Sequence, residues 1–395
     1  MKPSIIHSIV VCLAAFTLPF MVACSSQEES LPANDTEAAL YLNVSTLEQS
    51  RSGETANLPD NEQMHSVRVV VLHADGSVEH NRHYSLEGAQ AQKYIILKVS
   101  PNEKKQIFLF ANEESVSVVE GVTGGEQTLT GFFSSYTKNS EGFETAVNGL
   151  YFTPDYSDNN PIPMSSMYEI DEIDFTEGRF EGTFYLVRVA TKFTVNFMNW
   201  RDEEVTVENF TLERHADKNF LMAHVRNTDQ NTELFDGETW IKWLKKVSDA
   251  SSENDSYETT EATGWLKDYE LPATADKAKT YTNGEVSVGK PTVDMGSPDR
   301  LKPGVAKNVP VFYLPESMNP KAGATDGEQE YKMTINIKEG EEEAKVKSFS
   351  FTLPNLKALF RNTHVIVNIT LLNDMEIVVD VIPYSEVKLD PVFGL

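Results

Sequence analysis

Cysteine is almost missing from this chain: 395 residues hold two, Cys12 and Cys24. No disulfide can brace the body beyond position 24, which has to be held by packing and hydrogen bonds. Positive charge is scarce as well. Thirty-four Lys and Arg face 60 Asp and Glu, a formal net charge of −26, and no basic stripe interrupts the acidity, which excludes a nucleic-acid surface. The motifs that announce catalysis are absent: no Gly-x-Ser-x-Gly, no His-Glu-x-x-His, no paired-cysteine site and no phosphate-binding glycine loop. Carboxylates are abundant, but nothing singles out two of them as an acid–base pair. The reading is a non-enzyme without a cofactor.

A long apolar run is lacking too. The greasiest stretch, Ile5 to Phe20, is broken by His7, Ser8 and Pro19 and falls short of the roughly 20 residues of a membrane span. It follows a basic Lys2 and leads into Met21-Val22-Ala23-Cys24, then the polar Ser25-Ser26-Gln27-Glu28-Glu29. This is the layout of a bacterial lipoprotein export signal over residues 1–23, with lipidation expected on Cys24. Met21 stands where leucine is usual.

The body is written in period two with β-branched and aromatic residues: Val67 to Leu72, Thr183 to Phe197, Val205 to Leu212, Tyr331 to Ile337 and Thr363 to Leu372. Asp75-Gly76 and Asn283-Gly284 each signal a hairpin, because both residue types tolerate positive φ. Helical pattern is confined to Thr239 to Val247 and a turn over Pro354 to Leu359. Many short strands, few helices and frequent turns predict an all-β protein of β-sandwiches. A turn-rich stretch, Asp155 to Pro163, and an acidic one, Glu169 to Glu181, place a domain boundary near Gly182. Ser248 to Thr263 and Lys338 to Glu343 are too polar to bury and read as loops.

Ahead of the first domain, Leu40, Leu42 and Val44 alternate with polar or aromatic neighbours over Ala38 to Ser45, a strand with one apolar face. A polar segment follows, in which Arg51 is the one lysine or arginine between Lys2 and Arg68, an open target for a trypsin-like protease cutting before Ser52. Ile377, Val379 and Val381 alternate in the same way near the other end. His73, His80 and His83 fall around the first hairpin, and Asp155 to Asn160 offers oxygen ligands without the glycine and closing glutamate of a calcium loop. Both are read as solvated groups, so no metal is expected. Trp200, Trp240, Trp243 and Trp265 are read as core aromatics before a sugar-binding surface.

Taken in order along the chain, these residues resemble the Bacteroides-type fimbrillins, pilin subunits made as lipoprotein precursors. The resemblance is carried by the signal ending at Cys24, the strand and Arg51-Ser52-Gly53, Val67 to Leu72 with Asp75-Gly76, and Ile162-Pro163-Met164-Ser165-Ser166. It continues through Leu186 to Lys192, where Thr191 is inserted between alanine and lysine, Val311 to Ser317, Arg361-Asn362-Thr363-His364 and Val381-Ile382-Pro383-Tyr384. It implies two transthyretin-like β-sandwich domains in tandem. It divides the chain into a propeptide, 24–51, with a removable first strand, an N-terminal domain, 52–182, and a C-terminal domain, 183–395, whose segment from about 375 onward is a donor strand. It further implies an outer-membrane precursor, an arginine-specific surface protease cutting after Arg51, loss of the strand bearing Leu40, Leu42 and Val44, and filling of the vacated groove by Ile377, Val379 and Val381 of another subunit. Head-to-tail donation does not close, so the product is a surface fimbrium that supports adhesion. Three such side chains bury about 5–9 kcal/mol before ordering costs. The alternatives are a first strand that stays in place, a last strand that belongs to its own domain, and a monomeric tethered lipoprotein that binds a glycan or host protein.

Overall fold

The structure is a computed structural model that describes residues 37–46, 58–122, 125–157, 159–171, 178–222, 279–318, 331–339, 345–353, 358–359, 361–372 and 377–382. Cys24, Arg51, Ser52, the Thr239 to Val247 helix, the Ser248 to Thr263 loop, Trp240, Trp243 and Trp265 lie outside the described residues. The chain is mostly β. Its first part comprises β1 (Ala38–Thr46), β2 (Met64–Leu72), β3 (Val78–Gln90), β4 (Gln92–Val99) and β5 (Lys105–Ala111). Two short helices follow, α1 (Leu129–Ser135) and α2 (Phe143–Asn148), then β6 (Tyr151–Phe152), β7 (Met164–Ile170) and β8 (Arg179–Arg188).

Seven of these strands form one sheet in the order β3-β2-β5-β7-β8-β1-β4. Only two residue pairs, Met164 with Arg188 and Ser165 with Val187, join β7 to β8. The sheet curls there, and inward residues from both halves share one core: Leu40, Leu42 and Val44 with Val67, Val69, Ile107, Leu109, Tyr168 and Phe184. Strands β2 and β5 are apolar on both faces for a reason. Val70, Leu72, Phe108 and Phe110 pack outward beneath Phe132, Phe133 and Phe143 of the two helices. The helix α1 escapes the period-two reading, yet its signals are present: Thr128 caps it by accepting from Gly131 N at 3.0 Å, and Leu129, Phe132 and Phe133 fall at i, i+3, i+4.

The second part comprises β9 (Thr191–Asn199), β10 (Val205–His215), β11 (Asn219–Phe220), β12 (Lys279–Asn283), β13 (Val286–Val288), β14 (Thr292–Asp294) and β15 (Ser297–Lys302). It continues with β16 (Gly304–Val305), β17 (Val311–Leu314), β18 (Ser317–Met318), β19 (Lys332–Glu339) and β20 (Lys345–Thr352), and ends with β21 (Ala358–Leu359), β22 (Thr363–Leu371) and β23 (Ile377–Ile382). One sheet runs β12-β10-β19-β20 and a second β16-β9-β22-β23. Phe193, Val195, Val207, Phe210, Ile335 and Val367 are among the residues that fill the space between them.

Several expectations change. Asp75-Gly76 does close a hairpin between β2 and β3, with Gly76 at φ 83°. Asn283-Gly284 does not. Strands β12 and β13 both pair with β10, one after the other, so the dipeptide is a break along a shared neighbour, and Gly284 needs no positive φ. Ala358 and Leu359 are strand β21, not a helical turn. Gly182 sits inside β8, opposite Leu42 of β1, and the change of sheet falls at Val189-Ala190. Of the acidic run before it, residues 172–177 lie outside the described residues.

Candidate functional site

The strand of interest, β1, is interior to its sheet. It lies antiparallel to β4 over eight residue pairs and parallel to β8 over eight more. Alternation sends Ala38, Leu40, Leu42 and Val44 into the core, each at most 1% exposed, while Tyr41 and Asn43 face outward. Arg179 of β8 lies 5.2 Å from the Tyr41 ring centroid, and Asn43 Nδ2 donates to Thr183 Oγ1 at 3.2 Å. The fit is imperfect in its polar atoms. Asn43 Oδ1 and Thr46 Oγ1 are buried with no hydrogen-bond partner among the described residues, a cost of about 1–3 kcal/mol each.

Just past Leu58 the chain is pinned by a 3-10 turn, Asp60–Glu62. Glu62 Oε1 accepts from Lys192 Nζ at 2.6 Å and from Tyr313 Oη at 2.5 Å, and its backbone carbonyl accepts from Arg188 Nε at 2.9 Å. Burial alone would raise the Glu62 carboxyl, but Lys192, Arg188 and these hydrogen bonds overcome it and hold the group below its ordinary value. Burial chiefly, reinforced by the Glu62 charge, pushes the Tyr313 phenol well above its own.

A second buried ion pair stands nearby. Arg361 donates to Glu316 Oε2 from Nε at 2.9 Å, and its remaining donors reach the carbonyls of Leu221 at 2.9 Å and Phe220 at 2.8 Å. Ser165 Oγ donates to the Leu221 carbonyl at 2.5 Å, and Asn362 N to the Ala190 carbonyl at 2.7 Å. Motif residues scattered over two hundred positions, Ser165, Arg188, Lys192, Glu316, Arg361 and Asn362, thus meet in one polar junction where the two sets of sheets adjoin. Their role here is to satisfy buried backbone and charge. Glu62 belongs to the junction and was invisible in the sequence, where it is one acid among 60.

Strand β23 carries Ile377, Val379 and Val381. Among the described residues it pairs with β22 alone, antiparallel, which sets these three in register opposite the buried Leu371, Ile369 and Val367.

The three histidines do not converge. His73 Nδ1 meets Glu103 at 2.7 Å, His80 Nε2 donates to the Lys98 carbonyl at 2.5 Å, and His83 meets Glu114 at 2.7 Å. Two groups here have ligand-like spacing, His73 with Glu79 and Glu103, and His83 with Glu113 and Glu114. Each already holds a protein cation. Lys105, fully buried, lies 2.5 Å from both Glu79 and Glu103, and Arg68 binds Glu113 through two nitrogens. In the Asp155 stretch, Asp155 Oδ1 accepts from Ser157 N and Asn160 Nδ2 donates to the Asp155 carbonyl, so those oxygens serve the turn. Trp200 is partly exposed instead of core, at 39%.

A mostly β chain with mixed sheets, interior parallel pairs and a buried polar junction is the class the geometry defines. No family model and no curated protein matches the chain. Among solved structures, the chain is similar over most of its length to fimbrial proteins of Bacteroidales. A tip fimbrial protein from Porphyromonas gingivalis, truncated at its C-terminus, matches at 14% identity and TM-score 0.47, covering 88% of this chain and 100% of that one. A fimbrial assembly protein from Parabacteroides distasonis matches at 9% identity and TM-score 0.42, covering 87% and 99%. A fimbrilin from P. gingivalis matches at 11% identity and TM-score 0.42, covering 85% and 90%.

Proposed function

We propose that this chain is a structural subunit of a surface fimbrium that polymerises by strand replacement and supports adhesion. The observation that carries the reading is the interior place of β1. A chain cut between β1 and Asp60 can lose β1, and the loss opens a gap with an unpaired β8 on one side, an unpaired β4 on the other, and apolar pockets for Leu40, Leu42 and Val44 between them. Such a gap does not stay empty in water. Cutting after Arg51 leaves a new N-terminus ten positions before the Glu62 anchor, so release of β1 does not unthread the rest. In this reading the two cores are tandem transthyretin-like sandwiches. Cys24 carries the lipid that holds the precursor on the outer membrane, and the partners are other pilin subunits and an arginine-specific protease. The incoming strand is that of Ile377, Val379 and Val381.

A soluble chain starting at Ser25 tests it. Limited trypsin treatment is expected to cut at Arg51 and shift the protein from monomer to a ladder of polymers on size exclusion. A clean cut with the product still monomeric, and β1 still bound, overturns it. The pairing of β23 with β22 favours a second reading, a monomeric tethered lipoprotein whose last strand is its own, and that outcome is what the second reading expects.

A further inference from the structure

Beyond Cys24 the chain has no cysteine and so no disulfide. One buried pair has the makings of another covalent brace. Lys105, the first residue of β5, is fully buried, and its Nζ lies 2.5 Å from Oε2 of Glu79 on β3 and 2.5 Å from Oε1 of Glu103. The Glu79 side chain is only 5% exposed. Strand β2 stands between β3 and β5, so the contact of Lys105 with Glu79 reaches across it.

The two carboxylates are placed differently. Glu79 Oε1 accepts from the backbone N–H of Ser100, so one oxygen of that carboxyl meets a fixed donor while the other meets the amine. Glu103 is oriented by the turn around Asp75-Gly76: His73 Nδ1 lies 2.7 Å from its Oε1, and Ala74 N donates to its Oε2 at 3.3 Å. Burial would raise the Glu103 carboxyl, but hydrogen bonds from Lys105, His73 and Ala74 overcome it and hold the group below its ordinary value, so it is ionised at neutral pH. A base therefore touches the amine, and the amine touches a second, polarised carboxyl. An ion pair closed off from water carries the desolvation cost of two charges. Joining Lys105 to Glu79 as an amide removes both charges, and the amide oxygen inherits the Ser100 N–H.

We propose that Lys105 and Glu79 condense into an intramolecular isopeptide bond, with Glu103 as the catalytic residue that moves the proton. A first proton passes directly from Lys105 Nζ to Glu79 Oε2, leaving an uncharged amine beside an uncharged acid. The nitrogen lone pair then attacks Glu79 Cδ, and the charge that develops on Oε1 falls on the Ser100 N–H. Glu103 takes a second proton from the nitrogen and delivers it to Oε2. The Cδ–Oε2 bond breaks, Oε2 leaves as water with those two protons, and the third stays on the amide nitrogen. One ammonium and one carboxylate become one amide and one water, with no oxidant and no cofactor. The bond ties β3 to β5 across β2 and closes a loop that contains β4, one wall of the place that β1 fills. It involves neither β1 nor β23 and stands whether or not the protein polymerises.

Tryptic digestion of the purified full chain, read by tandem mass spectrometry, tests it. The expected product is a branched peptide that joins Val69–Arg82 to Lys105–Lys138 and is one water lighter than the two together, because trypsin does not cut after an acylated lysine. Lys105→Arg keeps the positive charge but offers no amine to condense, and is expected to release Val69–Arg82 unjoined. Glu103→Gln keeps the shape and removes the base, and is expected to lower the branched fraction at least about tenfold. Circular dichroism confirms that the parent and each variant are folded. A folded parent that yields Val69–Arg82 and no branched peptide, the result an unreacted ion pair gives, overturns the proposal. So does a water lost at a different pair of residues, or a branched fraction in folded Glu103→Gln equal to that of the parent.

Discussion

Strands β1 and β23 look alike in sequence and sit in opposite circumstances. Each is a short run with an apolar residue at every second position. Yet β1 is gripped on both sides, by eight residue pairs to β4 and eight to β8, whereas β23, among the described residues, holds to β22 alone through six. Removing an edge strand shortens a sheet. Removing an interior strand splits one and uncovers its core. The comparison teaches that the two ends of the chain are not interchangeable in cost: β23 is the strand more easily lent, and β1 the one whose loss must be made good.

The largest expected effect comes from blocking either half of that exchange. Arg51→Ala is expected to abolish trypsin-triggered polymer, leaving monomer on unheated gels. Val379→Asp is expected to do the same after normal cutting, since an unpaired carboxylate in an apolar groove costs several kcal/mol. Val378→Asp, one residue along and on the other face, should be milder. Equal ladders from all three variants and the parent would break the comparison.

A sharper test separates precursor from polymer. Leu42→Ala removes a fully buried side chain of β1 and is expected to destabilise the uncut chain by about 2–5 kcal/mol, read as the denaturant midpoint. In the polymer proposed above β1 has been replaced, so a polymer of this variant should melt as the parent polymer does. A matching loss in the polymer would show that β1 stays.

Glu62 gives a smaller effect and a pH signature. Glu62→Gln keeps shape and removes charge, leaving Lys192 and Arg188 without their counter-ion, at about 1–3 kcal/mol. Because the folded carboxyl titrates below its unfolded value of about 4.3, its contribution is complete above that value and fades as pH falls through the lower, folded one. Thermal melts from pH 7 to pH 3 should show part of the parent's acid loss missing in the variant. The smallest effect belongs to the outer face of β4, where Tyr94 is 72% exposed: Tyr94→Ser should move stability by no more than about 0.5 kcal/mol.

The strands themselves were legible. Ala38 to Ser45 is β1 to within one residue, and β10, β19 and β22 follow the alternation that marks them, while β2 is marked by its β-branched run and is apolar on both faces. The helix α1 was not, because its seven residues include Gly131 and two phenylalanines that read equally well as strand, and tertiary packing on Phe110 decides between them. The candidate site was legible only as parts. Arg361 and Glu316 are separated by 45 positions and Glu62 and Tyr313 by 251, and no local pattern says that such residues touch.

By itself the sequence determined which residues face inward, where the chain turns at Asp75-Gly76, that no disulfide or basic surface is available, and that the body is mostly strand. It could do so because side-chain period and turn chemistry are local properties of the backbone. Only the tertiary structure decided that β1 lies between β4 and β8, that β23 is an edge, that three nearby histidines go to different partners, and that distant motifs close on one buried junction. Alternation fixes the face a strand presents but not its neighbours, and a strand's neighbours are chosen by long-range packing that no stretch of sequence contains.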